Sequence, residues 1–240
     1  MRTAVITPGF FSNRRAVRMF AESCKVHGIE PIYYCEGEQY CMWATMKIQK
    51  KIPILNDLLS LGYTHVLYTD SRDAFFLGAI HNIEIRYSLL GSPPMLASAE
   101  VDCNPSSDYE SYYPQGVGPY RFHCVGGYIA ELSWVIEKFT QMLPYIKNTG
   151  DDADIWQWGY KDGWFKPMID HTCLIFQTEN KAHLRIEDGR LLNEETGNNP
   201  LVFHINGGYS SPVDGKYDRM LPYWNALYPD IPLTKEDCSI

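Results

Sequence analysis

Short apolar runs alternate with longer amphipathic ones at the start of the chain, and this alternation constrains the fold most. Ala4-Val5-Ile6-Thr7 reads as a buried strand and Pro8-Gly9 as the turn after it. From Asn13 to His27 the residues Val17, Phe20, Ala21 and Cys24 share one helical face, and Gly28 supplies a stop. Pro31 to Cys35 reads as a second strand, Trp43 to Leu61 as a long amphipathic helix ending at Gly62, and His65 to Thr69 as a third strand. Strand, helix, strand, helix, strand in that order predicts a parallel sheet with right-handed crossovers.

Further along, Ile80 to Leu90 has helical spacing and Met95 to Glu100 reads as a strand. A loop over about residues 102–121, rich in Pro, Ser, Tyr and Gly, is long enough to suggest a function. Gly126 to Ala130 returns to a strand and Leu132 to Ile146 to a helix. Shorter strands follow through Leu174-Ile175-Phe176-Gln177 and Leu201-Val202-Phe203-His204. No internal repeat or linker divides the 240 residues, so a single α/β domain is expected.

The third strand runs into Asp70-Ser71-Arg72-Asp73. The carboxyl end of a strand is where an open α/β sheet exposes its ligand crevice, so two carboxylates there suit a hard cation such as Mn²⁺ or Mg²⁺. The competing reading is a helix N-cap, with Asp70 or Ser71 accepting from free N–H groups of the next turn.

Composition narrows the partners. A formal net charge of -8 argues against nonspecific nucleic-acid binding, which needs a basic surface. Lys47-Ile48-Gln49-Lys50-Lys51 is a local basic run, readable either as a patch or as a solvated helix face. An aromatic content of 14% exceeds what a core alone needs and leaves rings to stack on a sugar or a base. Seven cysteines form no CxxC pair, and reduced thiols are the default. No stretch reaches membrane-span length and no secretory h-region follows Met1, so a soluble, cytoplasmic protein is expected.

Five segments then occur in a set order between about residues 47 and 208: Tyr68-Thr69-Asp70-Ser71-Arg72-Asp73; Ser98-Ala99-Glu100; Val125-Gly126-Gly127-Tyr128-Ile129; Ile169-Asp170-His171 with Ile175-Phe176-Gln177; and Phe203-His204-Ile205-Asn206-Gly207. In this order they resemble the glycosyltransferase domain of procollagen lysyl hydroxylases and, more broadly, the GT-A glycosyltransferases that use nucleotide sugars. The resemblance implies a GT-A-like fold, a mostly parallel central sheet flanked by helices in one domain. Residues 1 to about 100 would form the nucleotide and metal half, and about 101 to 240 the acceptor half.

The resemblance also implies roles. Asp70, Asp73 and His204 would hold Mn²⁺ or Mg²⁺, and Lys47 would face the donor phosphates. Thr7 would lie at the base or ribose, and the Gly207-Gly208 pair would let backbone approach the ligand. Asp151-Asp152-Ala153-Asp154 resembles an Asp-Asp-Gln motif near sugar and acceptor, with Ala153 against the second aspartate and Asp154 against the glutamine. Asp152, Asp154 and Glu100 are therefore the candidates to orient sugar hydroxyls or take the acceptor proton. The other reading of the acidic run is a helix cap. Trp156, Trp158 and Trp164 nearby suggest a sugar platform. Arg72 stands where the family places an aromatic residue against uracil, so the base would be held by guanidinium stacking or recognised differently, and Cys124 replaces an expected asparagine.

The expected reaction moves a hexose from a UDP-sugar, UDP-glucose or UDP-galactose, to a hydroxyl on a glycan, protein or modified nucleobase. The alternatives are a nucleotide-sugar hydrolase or nucleotidyltransferase, or a noncatalytic nucleotide-sugar or carbohydrate-binding module.

Overall fold

A computed structural model of the chain describes residues 1–9, 14–38, 42, 44–206 and 213–238. Strands β1 (Thr3–Pro8), β2 (Ile32–Tyr34) and β3 (His65–Thr69) pair in parallel, with β1 in the middle. Helices α1 (Arg18–Val26) and α2 (Lys51–Ser60) make the crossovers. Because side chains alternate along a strand, β1 feeds two cores: Val5 packs with Phe20 and Cys24 of α1, whereas Ala4 and Ile6 pack with Leu55 and Leu58 of α2.

After β3 come β4 (Ala74–Phe76), α3 (Ile80–Leu89) and β5 (Met95–Glu100). The long β6 (Phe122–Glu131) inserts between β3 and β5, antiparallel to both, and β7 (Met168–Ile169) adds in parallel to β5. The resulting six-stranded sheet has the order β2-β1-β3-β6-β5-β7, in which β6 alone opposes the rest. The mostly parallel sheet expected from the sequence is thus present. Between Ala97 and Ser98 the β5–β6 register jumps: Ala97 faces Tyr128 and Ser98 faces Cys124. The bulge lifts Val125, Gly126 and Gly127 out of that ladder, beside the end of β3.

Two expected helices are divided. The helix expected from Trp43, a residue outside the described ones, to Leu61 divides into a π-helical turn at Thr45–Gln49 and then α2. The π turn is marked by Lys50 N–H reaching back five residues to Thr45 O at 2.9 Å, and Pro53 then stands in the first turn of α2, where its missing N–H is tolerated. Helix α4 (Leu132–Met142) likewise stops before Pro144 and continues to Asn148 as a tighter 3₁₀ turn.

Helix α5 (Asp152–Asp162) follows, and then β8 (Phe176–Thr178), the hairpin of β9 (Leu184–Glu187) and β10 (Arg190–Asn193), and β11 (Val202–His204). Strands β4, β11 and β8 form a second sheet, with β11 antiparallel to β4 and parallel to β8. Helices α6 (Val213–Leu227) and α7 (Lys235–Cys238) cover it, burying Trp224 and Tyr228 against Phe75. Among the described residues no helix is long and apolar enough to cross a membrane, and six cysteines are free.

Candidate metal and donor site

The two sheets pack on a shared core, and their registers bring together residues far apart in sequence. Asp70 leaves the end of β3, and Asp73 immediately precedes β4. The β4–β11 register sets His204 opposite Ala74, and Ile205 N–H donates to Asp73 O at 2.7 Å. As a result one donor atom from each of Asp70, Asp73 and His204 lies within 4.8 Å of the others. His204 Nε2 is 3.5 Å from Asp73 Oδ1, and its Nδ1 is 3.6 Å from the sulfur of Cys124. Burial pushes the Cys124 thiol well up, so it stands beside the ring as a neutral S–H group. Two carboxylate oxygens and one imidazole nitrogen, half-closed by protein, make a donor set suited to Mn²⁺ or Mg²⁺ with positions left for phosphate oxygens.

Glycine at position 126 is a condition of this arrangement. A Cβ there would stand 2.2 Å from His204 Cε1, so the bulge of β6 must carry a residue without a side chain where the imidazole lies. Gly207 and Gly208 lie outside the described residues.

Behind the acidic pair is a buried basic pair. Lys47 donates to Asp70 Oδ2 at 2.9 Å with a side chain only 7% exposed. Burial opposes its charge, but Asp70, Asp152 and Asp73 outweigh that cost and raise its pKa. Lys51, one turn on, is buried among Tyr34, Tyr68, Tyr128 and Phe139, and burial together with Lys47 pushes its pKa well down. Lys50 faces outward and pairs with Glu38 at 2.9 Å. The basic run is therefore neither a patch nor a solvated face, because two of its three lysines point into the site.

The acidic run divides by function. Asp151 is the N-cap of α5, accepting from Ala153 N–H at 3.0 Å. Asp152 is buried; burial raises its pKa, and Lys47 draws it back down. Asp154 accepts from the Thr149 hydroxyl at 2.6 Å, a contact local to the start of the helix. Glu100, at the end of β5, is buried and receives Asn206 Nδ2 at 2.7 Å and Asn104 Nδ2 at 3.1 Å on the same oxygen. Burial outweighs these donors and pushes its pKa up to about 8.

The remaining expected contacts are placed as follows. Thr7 is buried and its hydroxyl donates to Thr69 O at 2.8 Å, tying β1 to the end of β3. Arg72 is hydrogen-bonded to the Tyr217 hydroxyl of α6. Of the three tryptophans expected to form a sugar platform, one is withdrawn into the core and two, Trp158 and Trp164, are half-buried beside Tyr145. Trp156 is buried in the core with its ring 4.8 Å from Phe165, and Trp164 is stacked on Tyr145 with centroids 5.6 Å apart. Trp156 is thus consumed by packing of α5 against its neighbours. Asp170 is likewise structural, its carboxylate accepting from the N–H groups of Leu174, Ile175 and Phe176 at 2.9, 2.8 and 3.0 Å.

Comparison with known proteins identifies the family and the fold. The model of the PLOD GT domain family matches residues 4–217. The chain belongs to this family, and it is a glycosyltransferase. A solved structure of a glycosyltransferase involved in the glycosylation of the major capsid of PBCV-1 superposes with a TM-score of 0.54 at 12% identity, covering 92% of this chain and 98% of that one. The two share a fold. No curated protein sequence matches the chain.

In this PLOD GT domain the residues that the sequence reading passed over are Lys51, Tyr34, Tyr68 and Tyr128. A signal for Lys51 was present. Ala44, Ile48, Leu55 and Leu58 form an apolar stripe at alternating spacings of three and four, and Lys51 occupies a position of that stripe. A lysine on a core-facing stripe is buried with partners or it breaks the helix.

Proposed function

We propose that this domain transfers a hexose from a UDP-sugar to an acceptor hydroxyl with Mn²⁺ or Mg²⁺ as cofactor. The observation that carries the reading is the convergence of Asp70, Asp73 and His204 beside a buried, charged Lys47. The three donors would hold the cation, which when bound supplies positive charge to the diphosphate as the sugar departs. Lys47 is placed to turn from Asp70 to the same phosphates. Arg72 and Gly207 are the proposed contacts of the nucleoside, and Thr7, buried with its hydroxyl on Thr69 O, would support that end of the sheet from beneath.

Transfer forms a bond from the acceptor oxygen to the anomeric carbon and breaks the bond from that carbon to the β-phosphate oxygen, which leaves with the electron pair. The acceptor proton needs a base, and we assign it to Glu100. With a pKa near 8, its carboxylate binds a proton more strongly than an ordinary glutamate does. Asp152 orients Lys47 and the sugar, and Asp154 stands at the first turn of α5 on the acceptor side. The 102–121 loop, which ends at β6 and is linked to α5 through Gln157, would exclude water from the donor.

A thermal-shift screen of UDP- and GDP-sugars with and without Mn²⁺ tests this reading, because a ligand that binds only the folded chain raises its melting temperature. Stabilisation by a UDP-hexose that requires Mn²⁺ is expected, and glucose and galactose are the first sugars to compare. Free UDP appearing only when an acceptor is present would mark a transferase. UDP released at the same rate without acceptor would mark a hydrolase.

A further inference from the structure

Lys51 has no role in the chemistry above, yet it is 1% exposed at the start of α2, a helix that packs on the sheet. A buried amine needs partners, and among the described residues no carboxylate lies within ion-pair distance of it. Its partners are aromatic. Nζ donates to the Tyr128 hydroxyl at 3.1 Å and stands 3.4 Å above the centroid of the Tyr68 ring. Tyr68 and Tyr128 are themselves stacked, with centroids 5.1 Å apart and planes 24° apart. The contact with Tyr68 does not depend on the protonation state of Lys51: an ammonium meets the negative face of the ring, and a neutral amine still directs an N–H at it.

Tyr68 continues the chain of contacts to the cation site. Residues two apart on a strand point to the same side, so the Tyr68 hydroxyl reaches Asp70 and donates to its Oδ1. Lys47 holds the other oxygen, Oδ2. The plane of the Asp70 carboxylate is thus fixed by two donors, and Tyr68 is the one that stays when Lys47 turns to a diphosphate.

We propose that Lys51 is a positioning residue of the cation site: it clamps the Tyr68 ring so that the Tyr68 hydroxyl keeps Asp70 aimed at Asp73 and His204. The proposal rests on the reading of Asp70 as a cation ligand. Outer contacts of this kind set metal affinity although they never touch the metal.

The test is a double-mutant cycle on the whole chain, with Mn²⁺ affinity read in the presence of UDP by calorimetry and by loss of the free-ion signal in electron paramagnetic resonance. Lys51→Met and Tyr68→Phe should each weaken Mn²⁺ binding about tenfold. The double variant should be no weaker than either single one, because both act through one hydroxyl. Lys51→Arg, which can stack on the same ring, should recover most of the loss. Additive losses, or wild-type affinity in Lys51→Met, would overturn the proposal while leaving the cation site in place. A wild-type chain that binds no Mn²⁺, or binds it equally well after Asp73→Asn, defeats the site reading and this proposal with it. Should Lys51→Met not fold, Tyr68→Phe decides: Mn²⁺ affinity equal to wild type excludes a role for the hydroxyl.

Discussion

At the scale of single residues, the site is a balance of buried charges, and each member makes a different prediction. Asp73 offers a carboxylate oxygen 3.5 Å from His204 Nε2. Asp73→Asn keeps the shape and removes the charge, so it should weaken Mn²⁺-dependent UDP binding at least about tenfold in calorimetry with little change in melting temperature. Equal affinity would remove Asp73 from the cation site. Lys47 lies against Asp70 with a raised pKa, and its proposed partner is phosphate. Lys47→Ala should cost binding of UDP while sparing uridine, and equal losses for both would argue against a phosphate contact. Asp70 and Asp73 were legible in the sequence because their relation is local, two acids on the turn after an apolar strand. His204 was reachable only through the resemblance, since its approach depends on a pairing of β11 with β4 that no local pattern announces.

At the scale of elements, what the sequence obscured was phase and register. The strand–helix alternation was readable because each strand is a short apolar run between helical stripes. The π-helical turn before α2 was not, because it rests on one hydrogen bond, Lys50 N–H to Thr45 O, that leaves no mark in the apolar spacing. The fate of the acidic run was also hidden. Three acids in four positions look alike in sequence, but the first turn of α5 points Asp151 at a backbone N–H, Asp152 inward and Asp154 at Thr149. The bulge in β6 supplies the sharpest test at this scale. Gly126→Ala would place a methyl group 2.2 Å from a ring atom of His204 and force the imidazole aside. Overpacking of this kind typically costs about 1–3 kcal/mol. A folded variant with a lowered melting temperature and weakened Mn²⁺ binding is expected. Unchanged Mn²⁺ affinity would show that the ring position set by the bulge is unimportant.

Over the whole molecule, the site draws on both ends of the chain, with Lys47, Asp70 and Asp73 from the first hundred residues and Asp152 and His204 from the remainder. Two buried titratable groups, Glu100 at the end of β5 and His123 of β6, which is hydrogen-bonded to the Tyr113 hydroxyl at 2.8 Å, give stability opposing pH dependences. The folded pKa of Glu100 is raised from 4.5 to about 8 by burial, so its contribution is full below 4.5 and is lost as pH rises through about 8. The folded pKa of His123 is lowered from 6.5 to about 3 by burial, so its contribution is full above 6.5 and is lost as pH falls toward about 3. These two slopes oppose each other between 4.5 and 6.5, and of the two only that of Glu100 extends from 6.5 to about 8. Denaturant titrations of Glu100→Gln should therefore lack the wild-type decline over that upper interval; a decline of the same size in the variant would show that another group causes it. If Glu100 is the base, the transfer rate of the wild-type enzyme should rise over the same interval.

The central claim is that a divalent cation sits between Asp70, Asp73 and His204 and carries the donor diphosphate. Anomalous diffraction from crystals grown with Mn²⁺ and UDP measures this directly. The account predicts one strong manganese peak within coordination distance of all three side chains, with diphosphate oxygens completing its shell. UDP bound in the cleft with no manganese peak there, or a peak held by other residues, would contradict it.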